Sequence, residues 1–173
     1  LIYTNRFSTL KERRVRYGLM LREDGFVMDD GTTARLGSEH YVMTTTTAAA
    51  GDVMRHLEFV HQGLHPNWDI NLMSVTENWA QFAIAGPDAK ALIDGLLDTP
   101  LDPKSWPFMS CGTVNIMGVK ARLFRISFSG ELGYELAVPA RYGDSLFRIL
   151  LARAEEMGGG AYGMEALNVL RIE

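Results

Sequence analysis

Two groups of carboxylates in this 173-residue chain stand where they could do chemistry. Asp29 and Asp30 lie between strand-like runs and are followed at once by Gly31. Glu131 and Glu135 sit in Ser129-Gly130-Glu131-Leu132-Gly133-Tyr134-Glu135, again at the junction of two runs that alternate apolar with polar residues. A plain hairpin needs only a two-residue turn such as Asn-Gly, so the second stretch carries more chemistry than a reversal requires. A carboxylate accepts two N–H donors at once. Two acids at a hairpin tip therefore suit a cationic amine or the N–H groups of a heterocycle, and Glu131 and Glu135 suit the adjacent donors of an aminopyrimidine. Glycines beside them let a backbone approach a flat ligand closely. On composition alone the plainer readings stay open: Asp-Asp-Gly is ordinary turn material, and Ser-Gly-Glu-Leu-Gly is an ordinary glycine-rich loop.

Other chemistries find little support. His56 and His61 are five apart on a predicted helix and His65 follows in a loop, whereas metal pairs on helices sit three or four apart. No metal site is expected. Cys111, in "PFMSCGTV", has no His, Lys or Asp beside it to activate a thiolate, and reads as a half-buried structural residue. No GxGxxG opens a helix after a strand, since "MGGGAYG" closes one, and neither a phosphate loop nor GxSxG occurs. The net charge of −4, with no basic stripe, speaks against nucleic acid. No run approaches the ~18 apolar residues of a membrane span, and no signal peptide is visible. A single cysteine permits no internal disulfide, which fits a reducing, cytoplasmic location.

The elements that must hold the acids follow from periodicity. Hydrophobic residues make up 47% and charged residues 22%, the balance of a globular domain. Strands are predicted over Val15–Leu21, Phe26–Met28, Thr32–Leu36 and His40–Thr44, with turns at Asp24-Gly25 and at Asp29-Asp30-Gly31. A helix capped by Thr46 or Thr47 follows, with Val53, Leu57 and Val60 as its apolar face and Gly63 as its stop. "WDINLMSVTENWAQFAIAG" predicts two strands around Glu77-Asn78. "GPDAKALIDGLLD" predicts a helix with Pro87 in its first turn. A hairpin around Met117-Gly118 leads to the Glu131 loop and a further strand, then to a helix ending at glycines and a last helix near Met164. Consecutive strands joined by short turns pair antiparallel, so the fold class is α+β, with strand meanders and packed helices rather than a doubly wound sheet. The chain opens on Leu1 and closes on "NVLRIE" without a stop signal, so residues 1–173 are expected to be part of a longer polypeptide, truncated at both ends.

These motifs, taken in order, resemble the aminomethyltransferase (glycine-cleavage T-protein) family. Arg125-Ile126-Ser127-Phe128-Ser129-Gly130-Glu131-Leu132-Gly133-Tyr134-Glu135 is similar to its strand signature. "EDGFVMDDGTTARL" resembles its Asp-Asp hairpin, "WAQFAIAGPDAKALI" its Ala-x-x-Gly-Pro segment, and "ALNVLRIE" its Leu-Arg-x-Glu helix. Within the family the chain most resembles the folate domain of the alpha subunit of heterotetrameric sarcosine oxidase. The resemblance implies tetrahydrofolate as ligand, transfer of a one-carbon unit to give 5,10-methylenetetrahydrofolate, partner subunits beta, gamma and delta, and a flavin elsewhere in the complex. It makes Asp30 the catalytic carboxylate and Glu135 the pterin-binding one, with Arg125, Glu131 and Tyr134 of the same motif at the ligand. Asp29, pointing to the other face, is expected to be a bystander. One departure stands out: the Arg-Asp pair that T-proteins carry before Leu-Arg-x-Glu is Leu167-Asn168 here, so the family's folate-contacting arginine is missing. A free-standing aminomethyltransferase and a non-catalytic folate-binding or assembly protein of the same fold are the competing implications.

Overall fold

The structure, a computed structural model, describes residues 2–173. The chain divides into two units after Thr76.

In the first unit, β1 (Arg14–Leu21), β2 (Val27–Arg35) and β3 (Tyr41–Met43) pair antiparallel in the order β3-β2-β1. The reversal falls at Asp24-Gly25 as predicted. Arg22 N–H donates to Phe26 O at 2.8 Å, and Gly25 takes φ +85°, a left-handed value that glycine adopts without strain. Asp29-Asp30-Gly31, however, is not a turn. The three residues lie inside β2, opposite Met20, Leu19 and Gly18. Gly31 serves close packing rather than reversal: a Cβ there would stand 2.0 Å from the Thr44 carbonyl oxygen, where the chain after β3 returns along β2 through a 2.8 Å bond from Thr44 N–H to Thr32 O. The register slips between Met20 and Leu21, leaving Met28 without a partner. Such a bulge re-aims the residues beside it, and the two acids follow directly. Gly31→Ala is expected to lower stability by about 1–3 kcal/mol through overpacking. A denaturant midpoint equal to wild type would show that Thr44 can move aside.

A 3-10 turn at Thr47–Ala49 leads into α1 (Ala50–Glu58), which continues as a wider π turn over Phe59–Leu64. Val53 and Val60 are buried and Leu57 is half-buried, as the spacing predicts. Thr46 takes the N-cap position but makes no side-chain cap bond. Its N–H donates instead to Asp29. Gly63 does not stop the helix, because the π turn carries it to Leu64. Residues 66–75 form no strand. Local contacts hold them otherwise: His65 stacks on Trp68 at 3.9 Å, and His61 Nε2 lies 2.9 Å from the Trp68 carbonyl.

In the second unit, β4 (Trp79–Ala85), β5 (Ser110–Ile116), β6 (Val119–Arg125) and β7 (Gly133–Pro139) pair antiparallel in the order β5-β6-β7-β4. Met117 and Gly118, at φ 47° and 77°, make the tight β5–β6 turn, the two left-handed residues that match strand twist. Helices α2 (Ala89–Asp94) and α3 (Gly143–Glu156) pack on one face of these strands. Pro87 precedes α2 rather than opening it, with Asp88 at the N-cap. The core joins Ala121, Leu123, Leu136 and Val138 of the strands to Ile93 and Leu146 of the helices. Gly158, at φ +80°, follows α3, and α4 (Met164–Ile172) closes the chain.

Candidate functional site

The sequence places Asp30 in the first unit and Arg125, Glu131, Tyr134 and Glu135 in the second. In β2, alternation sends the two acids to opposite faces. Asp30 is half-buried, and the Tyr17 hydroxyl donates to its Oδ2 at 2.6 Å. Asp29 is buried, and its Oδ2 accepts the Thr46 N–H at 3.1 Å. Asp29 is therefore a structural anchor for the segment entering α1, not a bystander. Tyr3 stands near both acids. Burial chiefly holds its phenol above the ordinary tyrosine range, the bond from Thr33 opposes this, and the charges of Asp29 and Asp30 add to the rise. Tyr3 thus stays a neutral phenol.

In the second unit the loop between β6 and β7 reverses the chain over Ile126–Leu132. Gly130 takes φ +89°, and a Cβ on Gly133 would meet the Ile126 carbonyl oxygen at 2.9 Å. Both glycines thus have backbone reasons. Glu131 is exposed in the loop. Arg125 spans its base: one guanidinium nitrogen donates to the Gly133 carbonyl at 2.9 Å, and the group lies 5.0 Å from the Tyr134 ring centroid. Tyr134 is only 3% exposed and belongs to the core on the helix side. The strand signature therefore splits between two faces. Arg125 and Tyr134 brace β7 from the helix side, where the Tyr134 ring packs in the core.

Glu135 points to the opposite face. Register puts it beside Ala83 of β4 and Phe124 of β6, with Gln81, Ala137 and Arg122 as its neighbours on that face. Gln81 Nε2 donates to Glu135 Oε2. Burial raises the Glu135 carboxyl above its ordinary value, and the bond from Gln81 partly opposes the rise. One of its oxygens has this neutral donor, and no cation forms an ion pair with it among the described residues. A carboxylate kept partly dry and left without a countercharge is costly for folding alone, and is poised to take N–H donors from a ligand.

Sequence reasoning missed Tyr17, Gln81 and Arg122. Tyr17 was within reach. Residues paired across an Asp24-Gly25 hairpin have numbers summing to 49 (24 + 25), so Tyr17 falls opposite Thr32 and diagonal to Asp30, as observed. Gln81 depends on β4 pairing with β7 across 54 residues of chain, for which no local signal exists, and Arg122 on the register of β7 against β6 across the Ile126–Leu132 loop. Leu167, at the position of the missing arginine, lines an apolar cleft of about 560 Å³ with Phe82, Ile84, Phe147 and Met164, while Asn168 is exposed. Cys111 is fully buried in β5. Among the described residues, no three His, Cys, Asp or Glu cluster closely enough to hold a metal, and no helix is long and apolar enough to cross a membrane.

Comparison with known proteins agrees with this fold. The chain is 51% identical over 174 residues to sarcosine oxidase subunit alpha of Rhizobium meliloti (strain 1021), covering 99% of this chain and 18% of that protein. It is 31% identical over 170 residues to the aminomethyltransferase of Geobacillus sp. (strain WCH70), covering 98% of this chain and 45% of the relative. Its fold superposes on the glycine cleavage system aminomethyltransferase T from Bartonella henselae with a TM-score of 0.77 at 22% identity, over 95% of this chain and 41% of that one. The family model described as the GCVT N-terminal domain matches residues 1–173. With its antiparallel α+β architecture and its match along the whole length, the chain belongs to the GCVT N-terminal domain family and has the aminomethyltransferase fold.

Proposed function

We propose that this chain is the one-carbon-accepting part of a sarcosine oxidase alpha subunit, binding tetrahydrofolate and forming 5,10-methylenetetrahydrofolate from the carbon of an oxidised N-methyl amine. The carrying observation is the 51% identity to a sarcosine oxidase alpha subunit along 99% of the chain. The uncompensated Glu135 carboxylate supports it, because a pterin presents a 2-amino group and an adjacent ring N–H to such an acceptor pair. Folate is a substrate in this reaction. It supplies two nucleophilic nitrogens. The amine's carbon arrives as an iminium, its bond to the amine nitrogen breaks, two bonds to folate nitrogens form, and both folate N–H hydrogens leave on the amine. Asp30 supplies a fixed negative charge beside the nitrogen that turns cationic as it attacks, and Tyr17 holds that carboxylate in one orientation. Subunits beta, gamma and delta and a flavin elsewhere in the complex would provide the oxidised amine, in the cytoplasm. The domain proposed is residues 1–173 as one part of a larger folate-binding domain.

Calorimetry separates this reading from a nucleotide-binding one. The protein is expected to bind tetrahydrofolate saturably and to give no binding heat with ATP. Binding of ATP with none of tetrahydrofolate would overturn the reading.

A further inference from the structure

Arg122 is a half-buried guanidinium on the face of the β4-β7-β6 strands that carries Glu135. It reaches from β6 across the small, buried Ala137 of β7 to Trp79 of β4, where its guanidinium carbon stands 3.8 Å from the indole centroid. Such a stack holds the planar group in one orientation and leaves its five N–H donors pointing outward in the plane. Among the described residues no carbonyl or carboxylate accepts from it. Burial pulls its pKa below the ordinary arginine value, so the site holds this cation at a desolvation cost with no acceptor to offset it. Glu135 is its diagonal neighbour, since Arg122 pairs with Ala137 and Phe124 with Glu135. Diagonal partners across paired strands stand about 7–8 Å apart at their Cα atoms, and Glu135 is held by Gln81 rather than by the arginine. Of the charged residues on this face of the two flanking strands, Arg122 is the nearest to Glu135, with Lys120 one face position beyond it on β6; β4 contributes Gln81 and Ala83 there.

An acceptor pair and a donor fork thus stand side by side on one sheet face. We propose that Arg122 reads the carbonyl edge of the heterocycle that Glu135 holds, donating to the ring C4 oxygen while the carboxylate accepts the ring N–H and the amino group beside it. The pattern is complementary atom for atom: a 2-amino-4-oxo pyrimidine edge presents donor, donor, acceptor, and Glu135 with Arg122 presents acceptor, acceptor, donor. A diamino ring or a purine with an amino group in that place would offer a donor to a donor, so Arg122 sets the specificity for 4-oxo pterins. The inference rests on the reading of Glu135 given above.

The test uses the full-length protein and tetrahydrofolate labelled with ¹³C at C4. In the wild type, the C4 resonance is expected to move downfield on binding, the mark of a carbonyl accepting from a cation. Arg122→Met should weaken binding about tenfold or more, the loss of one charge-assisted bond, and return the bound C4 resonance to its free position. Arg122→Lys keeps the charge and the buried stem but loses the planar fork. It covers the case of a Met variant that fails to fold, and should also lose most of the downfield shift. Glu135→Gln should weaken binding while leaving the C4 shift of the bound ligand in place. A wild-type C4 shift that persists in Arg122→Met or Arg122→Lys, or a dissociation constant equal to wild type, overturns the role of Arg122 and leaves Glu135 standing. A wild type that binds no reduced folate overturns both.

Discussion

In the assembled enzyme, Asp30→Asn is expected to cut transfer of the one-carbon unit to folate by about 10²-fold while amine oxidation continues at its wild-type rate. The magnitude is the low end for removing one electrostatic stabiliser of a transition state. Asparagine keeps the size of the side chain and an oxygen that can still accept the Tyr17 hydroxyl, whose 2.6 Å bond fixes the group. It lacks only the negative charge, which in the proposed mechanism offsets the cation developing on the attacking nitrogen. The diverted carbon should leave as formaldehyde. Asp29→Asn tests the specificity of that loss. Asp29 is buried and accepts the Thr46 N–H, so an amide there would bury N–H donors with no acceptor, at a cost of about 1–3 kcal/mol. Tm should fall in Asp29→Asn with the product ratio unchanged, and the ratio should change in Asp30→Asn with Tm nearly unchanged. The opposite pattern would transfer the catalytic role to Asp29.

Glu135→Gln is expected to weaken tetrahydrofolate binding about tenfold or more, because one acceptor oxygen becomes a donor facing N–H groups. The pH dependence carries the same signature. Burial raises the folded-state pKa of Glu135 above its unfolded value, so the acid takes its proton at a higher pH in the folded protein. Folate affinity should therefore fall as pH drops through a value above the ordinary glutamate range, and that acid limb should vanish in Glu135→Gln. Stability runs the other way. A raised folded-state pKa favours folding fully below the unfolded pKa, and this contribution is lost as pH rises through the folded value. At neutral pH the ionised carboxylate is thus a burden on the fold, and Glu135→Gln should be at least as stable as wild type. A variant that loses stability at neutral pH while each folded molecule binds folate normally would make Glu135 a structural residue.

Much of this architecture was legible in the chain because its signals are local. Asp24-Gly25, Met117-Gly118 and the glycines after α3 punctuate the chain where left-handed backbone is needed, and the structure reverses or ends elements there. Asp29-Asp30-Gly31 misled for a physical reason: turn composition and a close-packed strand glycine look alike until the Thr44 carbonyl, 13 residues from Gly31, is seen to fill the space. The strand signature was legible as a unit but not in its division, since alternation along β7 sends Tyr134 into the core and Glu135 to the other face. The partners of Glu135 stayed hidden because β4 pairs with β7, a strand the chain reaches only after a long excursion through α2, β5 and β6. Only that pairing sets Gln81 on the carboxylate and Trp79 under Arg122.

The central claim is that the carbon of an N-methyl amine ends on folate. Supplying the assembled enzyme with sarcosine labelled with ¹³C in its methyl group, with tetrahydrofolate at saturation, follows that carbon directly by NMR. The label should appear in the methylene bridge of 5,10-methylenetetrahydrofolate before any hydrated formaldehyde accumulates, and should shift to formaldehyde in Asp30→Asn. Wild-type enzyme that releases the label as formaldehyde at the rate of amine oxidation, with methylenetetrahydrofolate forming no faster than free formaldehyde and folate combine in solution, would contradict the account.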